Sequence, residues 1–200
     1  MDGQPDLQML ARPALEVAPL LLGALLTANG VSLRITEVEA YLGGDDPGSH
    51  AFRGPTRRNA TMFGDAGALY TYLSYGMHVC ANVVCSPAGT ASGVLLRAGE
   101  IVAGIELARS RRATTKTDTD LARGPARLTV ALGITLADDG ADLGSGGIRL
   151  QPAPPEPHYA QGPRTGVSGM GGSDRYPWRF WIPDDATVSP RRAGRITTQG

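Results

Sequence analysis

Two glutamates and a tyrosine, spaced two apart, are the first residues with chemical promise. Alternation along residues 32–42 (SLRITEVEAYL) puts Glu37, Glu39 and Tyr41 on one side of a predicted strand and Val38, Ala40 and Leu42 on the other. Residues two apart on a strand lie about 6.6 Å from each other. Two carboxylates at that separation suit acid–base work on a glycosidic bond. The same pattern also fits a solvent-facing edge strand with two ordinary surface glutamates.

Residues 69–84 read as a β-hairpin turning around Ser74, Tyr75 and Gly76. That register pairs Leu73 with Met77 and Tyr72 with His78. One face then carries Leu69, Leu73, Met77, Val79, Ala81 and Val83, and the other Tyr70, Tyr72, His78, Cys80 and Asn82. Tyr75 falls at the tip, where small polar residues are usual. An aromatic on a protruding element can wedge between base pairs, and a base stacked on such a ring gains about 1–3 kcal/mol. The other reading is an aromatic-rich strand covering a core, since strands favour tyrosine.

His78, Cys80 and Cys85 give an H-x-C-x4-C spacing, which differs from the zinc-deaminase pattern and lacks its glutamate. His158 lies in a proline-rich stretch and reads as a surface residue. There is no G-x-S-x-G elbow, phosphate-cradling glycine motif or dinucleotide fingerprint. The single lysine, Lys116, sits in a polar connection. A Schiff-base route needs a well-placed amine, so a carboxylate-activated water is favoured over an amine nucleophile.

These residues need a scaffold. Residues 14–28 read as a helix stopped by Asn29-Gly30, and residues 43–67 as a long loop rich in Gly, Pro, Asp and Arg, of a length that is usually functional or disordered. A strand is predicted at 94–97, a short helix at 101–109, and a mobile Arg/Thr-rich connection at 110–120. Gly124-Pro125 opens a helix ending near Leu132-Gly133. Residues 151–157 (QPAPPEP) favour extended polyproline conformation, and 178–182 a late strand. Residues 1–12 read as a loose leader, 13–186 as one domain, and 187–200 as a frayed tail.

Apolar residues make up 42% of the 200, enough for one domain with a core. The formal net charge is zero, yet residues 51–127 hold 10 basic and 5 acidic side chains while residues 1–50 hold 2 and 7. A basic zone on a neutral protein can track phosphates; a solvated surface with chance clustering is the plainer reading. Two cysteines make no disulfide framework, which points to a reducing compartment. The longest apolar stretch, residues 19–26, is too short to span a bilayer. Asp2 and Asp6 do not read as a secretory signal. An intracellular protein, cytoplasmic or at the nucleoid, is expected.

Taken in order, several stretches resemble the alkyladenine (methylpurine) DNA glycosylase family: residues 37–43 (EVEAYLG), His50 with Arg57-Arg58-Asn59, Met62-Phe63-Gly64, residues 67–82 (GALYTYLSYGMHVCAN), 94–98 (VLLRA) and 124–134 (GPARLTVALGI). Residues 163–166 and 177–180 match more weakly. The resemblance implies an α+β fold, a single mixed domain whose curved, mostly antiparallel sheet carries a protruding hairpin, similar to the C-terminal domain of methionyl-tRNA formyltransferases. It implies excision of alkylated purines such as 3-methyladenine and 7-methylguanine from double-stranded DNA by a monomeric enzyme with no metal, no cofactor and no strand nicking.

Position by position, Glu39 matches the glutamate that activates water. Tyr41 and His50 match residues on one face of a flipped base, and Tyr72 the residue on the other. Tyr75 matches the tyrosine that fills the gap in the duplex. Asn82 matches a residue crowding a purine 2-amino group, and Arg97 an arginine near the water and the flipped nucleotide's backbone. Met77, His78, Arg57 and Arg58 are further candidate DNA contacts. Glu37 becomes a structural neighbour. The chain departs from the pattern at Gly99-Glu100-Ile101, which lacks a proline, and at His78, where relatives can have tyrosine. A non-catalytic nucleic-acid-binding module of the same fold is the rival, and a zinc deaminase a second.

Overall fold

The computed structural model describes residues 6–191. Its framework is an antiparallel sheet built on a long central strand. Strand β1 (Leu25–Ala28) turns back into β2 (Val31–Tyr41), followed by β3 (Leu69–Ser74), β4 (His78–Val84), β5 (Gly93–Ala103) and β6 (Ile148–Gln151). Their order across the sheet is β3-β4-β5-β2-β1-β6. Two short strands, β7 (Ala160–Gly162) and β8 (Arg179–Trp181), add to it where β8 pairs with β2 at Glu37–Glu39. Each of these pairings is antiparallel. Helices α1 (Ala14–Leu20), α2 (Ile105–Arg111) and α3 (Pro125–Leu132) complete an α+β domain. Register shifts between β2 and β5 interrupt the ladder near Ile35–Val38, as β-bulges do.

The core lies between the sheet and the helices. Leu26, Leu33, Ile35, Val38, Ala81, Val83, Leu96, Leu128 and Leu132 are fully buried there. Burying each Leu or Val contributes about 1.5–3 kcal/mol. No helix among the described residues is long and apolar enough to cross a membrane.

Several predicted elements are corrected. The helix expected over residues 14–28 ends at Leu20, after Pro19 in its last turn, and residues 25–28 form β1 instead. Asn29 and Gly30, with φ of 48° and 80°, make the tight hairpin turn into β2 rather than a helix stop. The hairpin of β3 and β4 pairs Ser74 with His78, Leu73 with Val79 and Tyr72 with Cys80. The turn is Tyr75-Gly76-Met77, one residue along from the expected one, so each β3 residue pairs two residues further along β4. An even shift leaves the faces unchanged, but Met77 leaves the apolar face for the exposed tip. Strand β5 runs on to Ala103, so the helix predicted at 101–109 starts only after Gly104.

The segment 110–120 has local structure: Arg109 of α2 meets both carboxylate oxygens of Asp118, which opens a short 3-10 turn. The packed body also passes both expected boundaries. Leu10, in the predicted leader, is fully buried, and its carbonyl accepts from Ser86 N at 3.0 Å. Thr187 and Ser189, in the predicted tail, are buried as well. The rest of the leader and tail, residues 1–5 and 192–200, lies outside the described residues.

Candidate active site

Strand β2 is paired on both sides, to β5 along its length and to β1 and then β8 across from it. Glu37 and Glu39 are therefore central, and both are fully buried. That overturns the edge-strand reading of this pair. Val38 and Ala40 enter the core, while Glu39 and Tyr41 face a pocket of about 480 Å³. Clefts for small ligands run from about 300 to 1,000 Å³.

The carboxylate of Glu39 is held by three elements. Its Oε1 accepts from the Thr165 amide at 2.6 Å and meets Arg97 Nη1 at 3.2 Å, while its Oε2 accepts from the Tyr41 hydroxyl at 2.9 Å. Burial and the neighbouring Glu39 charge push the Tyr41 phenol well above its ordinary range, so it stays a donor. Arg97 comes from β5, on which Leu95 pairs with Glu39.

Tyr70, Tyr72, Cys80 and Asn82 also line the pocket, projecting from β3 and β4. Tyr72 stacks on Tyr70 at 5.6 Å and meets the His50 ring edge-on at 4.4 Å. Burial pushes the Tyr70 hydroxyl up to about 12. Desolvation within the pocket, and then the Arg58 charge, lower the His50 imidazole from its ordinary value. Asn82 Nδ2 donates to the Tyr70 carbonyl at 3.2 Å, which fixes its side chain.

The long loop at 43–67 is not structureless. Short 3-10 turns form at Gly43–Asp45 and Ala60–Phe63. Asn59 Nδ2 donates to the carbonyls of His50 and Gly54 at 3.0 and 3.1 Å, and so sets the backbone that presents His50. Arg58 ties the loop to the hairpin: it donates to the Leu73 carbonyl at 2.8 Å and lies 5.9 Å from the Tyr72 ring centroid.

The pocket thus gathers Glu39, Tyr41, His50, Tyr72, Asn82 and Arg97, with Tyr75 and Arg58 also lining it. Arg57, Met77 and His78 are exposed and outside its lining. Cys80 lines the pocket whereas Cys85 is buried in the core, so the H-x-C-x4-C residues do not converge. Of the basic excess at 51–127, Arg97 is offset by Glu37 and Glu39 from outside the segment, while Arg109, Arg123 and Arg127 pair with acids already counted within it.

A sequence model of the methylpurine-DNA glycosylase family matches residues 8–186. The chain belongs to this family. It is 61% identical over 196 residues to a protein of Leifsonia xyli subsp. xyli, covering 94% of this chain and 92% of that one. A protein of Streptomyces avermitilis is 55% identical, covering 93% and 91%. One from Cutibacterium acnes is 51% identical, covering 92% and 98%. All three carry the name "Putative 3-methyladenine DNA glycosylase".

Sequence reasoning about this glycosylase missed Asp46, Arg164, Thr165, Arg179 and Ser189. Arg164, Thr165 and Arg179 lie in the two weaker matching stretches, 163–166 and 177–180, which were the available signal. Asp46 and Ser189 had none.

Proposed function

We propose that the pocket receives an alkylated purine flipped out of duplex DNA, and that Glu39 activates the water that cuts the base from its sugar. The carrying observation is the coordination of Glu39. An ionised carboxylate offers about four acceptor sites. Thr165 N takes one on Oε1, where Arg97 Nη1 also stands 3.2 Å away as an ion-pair contact, and Tyr41 takes one on Oε2; Oε2 keeps an open site, in a carboxylate that lines the pocket.

A water there gives its proton to Glu39 while its oxygen bonds to the sugar C1′. The C1′–N bond breaks, and its electron pair leaves with the base. A purine alkylated at N3 or N7 is cationic and departs neutral, so no general acid is required. One carboxylate then suffices where sugar hydrolases use two. The anion also stabilises the oxocarbenium-like sugar.

Tyrosine faces attract a cationic base by about 0.5–2 kcal/mol, and desolvation and the Arg58 charge favour the uncharged form of His50 beside it. Tyr41 would lie on one face of the base and Tyr72 on the other; the His50 ring, 4.4 Å from Tyr72 in the free protein, must swing away to join the Tyr41 face, with Asn82 crowding a 2-amino group. Tyr75 would fill the vacancy in the duplex. Arg57, Arg58, Met77 and His78 would meet the backbone and minor groove. Flipping costs a few kcal/mol, less for a damaged base. Lys116 is exposed on the segment between α2 and α3 and does not line the pocket, so a Schiff-base step is not proposed.

The test is Glu39→Gln. Release of 3-methyladenine from methylated duplex should fall on the order of 10²–10⁴-fold, while binding of damaged DNA persists. Undiminished release would remove Glu39 from this role. A wild-type protein that binds damaged duplex and releases no base would favour the binding-module reading.

A further inference from the structure

The mechanism leaves Glu37 without a task, although it is fully buried two residues before Glu39. Its Oε1 accepts from Arg97 Nε at 2.8 Å, Arg179 Nε at 2.7 Å and Ser189 Oγ at 3.0 Å. Its Oε2 accepts from the Ser189 amide at 2.6 Å. Arg97 is shared: Nη1 lies 3.2 Å from Glu39, the longer of its two glutamate contacts. Two anions and two cations balance inside the fold, and Arg97 alone touches both glutamates among the described residues.

A guanidinium facing one carboxylate tends to close on it with two parallel N–H bonds. Closed on Glu39 in that way, Arg97 would fill the open acceptor site on Oε2 and weaken the base. Glu37 prevents this by holding the Nε edge.

We propose that Glu37 is a positioning residue: anchored by Arg179 and Ser189, it draws Arg97 back from Glu39, so that Glu39 keeps a site and the basicity for water. The inference rests on the reading of Glu39 as the water-activating group. Burial alone would raise the Glu37 carboxyl, but Arg97 and Arg179 outweigh it and hold the group below 4.5, as an anion. The groups facing Glu39 are Tyr41 on β2, Tyr72 on β3, Cys80 on β4, Arg97 on β5 and Arg164 beside Thr165. Those facing Glu37 are Arg97, Arg179 on β8 and Ser189.

The experiment is the pH profile of single-turnover 7-methylguanine excision, with the melting temperature of each variant. Glu37→Gln frees Arg97 for Glu39 and removes a like charge, so the acidic limb should move down by about one pH unit and the plateau should fall about tenfold. Arg179→Gln leaves Glu37 to take more of Arg97, so the limb should move up. A purely structural role lowers both melting temperatures and moves neither limb.

An unmoved limb, or two limbs moving the same way, overturns the proposal. Should Glu37→Gln fail to fold, Arg179→Gln decides alone: an upward limb supports the proposal and any other result overturns it. In an Arg97→Gln background the Glu37→Gln displacement should shrink to less than half. Full persistence would mean that Glu37 acts through space rather than through Arg97, and overturns the positioning role. Glu39→Gln separates the two readings. If it stays active, the proposed function fails; if it is dead while Glu37→Gln keeps the wild-type profile, only this inference fails.

Discussion

Arg164 and Asp46, 118 residues apart, form a two-point ion pair with both contacts at 2.6 Å and neither side chain exposed. The other N–H groups of Arg164 reach the carbonyls of Ala40 and Gly171. Every donor of the fork has an acceptor, which is the condition for burying an arginine without a large penalty. The guanidinium also lies 4.4 Å from the Tyr41 ring centroid and 5.2 Å from that of Trp178. One side chain thus ties together β2, the loop after it and the segment whose next residue, Thr165, holds Glu39.

Removing the carboxylate strands a buried cation. Asp46→Ala should therefore cost about 3–5 kcal/mol, read as a lower midpoint in urea unfolding. A loss under about 1 kcal/mol would mean that water reaches Arg164 once Asp46 is gone, and that the pair contributes little to stability.

A gentler perturbation reaches the same clamp. A Cβ on Gly48 would lie 2.5 Å from Arg164 Nη2 and 2.9 Å from Val167 Cγ1. Gly48→Ala must push the arginine or its loop aside, and Thr165 moves with it. Single-turnover excision should slow by about tenfold to a hundredfold. An unchanged rate would show that the Thr165 amide is not needed where it stands.

The clamp also marks where sequence reading stops. The shared face of Glu37, Glu39 and Tyr41 was legible because strand alternation is local. Its burial was not, because the covers, Thr165, Arg179 and Ser189, lie 126, 142 and 152 residues from the glutamates they touch. In the hairpin, parity fixed the faces, but the register depended on which residues take positive φ. At residues 14–28 the leucine density suits helix or strand alike, and Gly23, at φ 81°, marks the break between them. The family resemblance supplied candidate roles for the pocket residues; it gave none to Asp46, and it treated Glu37 as a neighbour.

The Glu37 cluster sets an acid limit on stability. Burial would raise this carboxyl, yet Arg97 and Arg179 hold it below its unfolded value of 4.5. Its stabilisation is thus complete above about pH 4.5 and is lost as pH falls through the lower folded value. Unfolding free energy of wild type should drop steeply below that point. Glu37→Gln, though less stable at pH 7, should show a shallower drop over the same range. Equal slopes would assign the acid sensitivity to other carboxylates, such as Asp185, which Thr187 and Arg34 also hold low against the opposing effect of burial.

Tyr75 combines exposure with strain. It is 84% exposed and has φ of 49°, a left-handed conformation that costs a side chain with Cβ roughly 1–2 kcal/mol. Little packing in the free protein offsets that cost. Asparagine tolerates the same backbone better, because its short side chain bonds locally. Tyr75→Asn should therefore raise stability by about 0.5–1 kcal/mol. It should also weaken binding to alkylated duplex by about tenfold to a hundredfold, the loss of one stacked ring. Thermal melts and duplex titrations separate the two effects. Undiminished duplex affinity would remove Tyr75 from the wedge role, and a less stable variant would show that the ring packs on its own protein. The expected pairing of higher stability with weaker binding would place the cost of the left-handed tyrosine in the free enzyme and its return in the DNA complex.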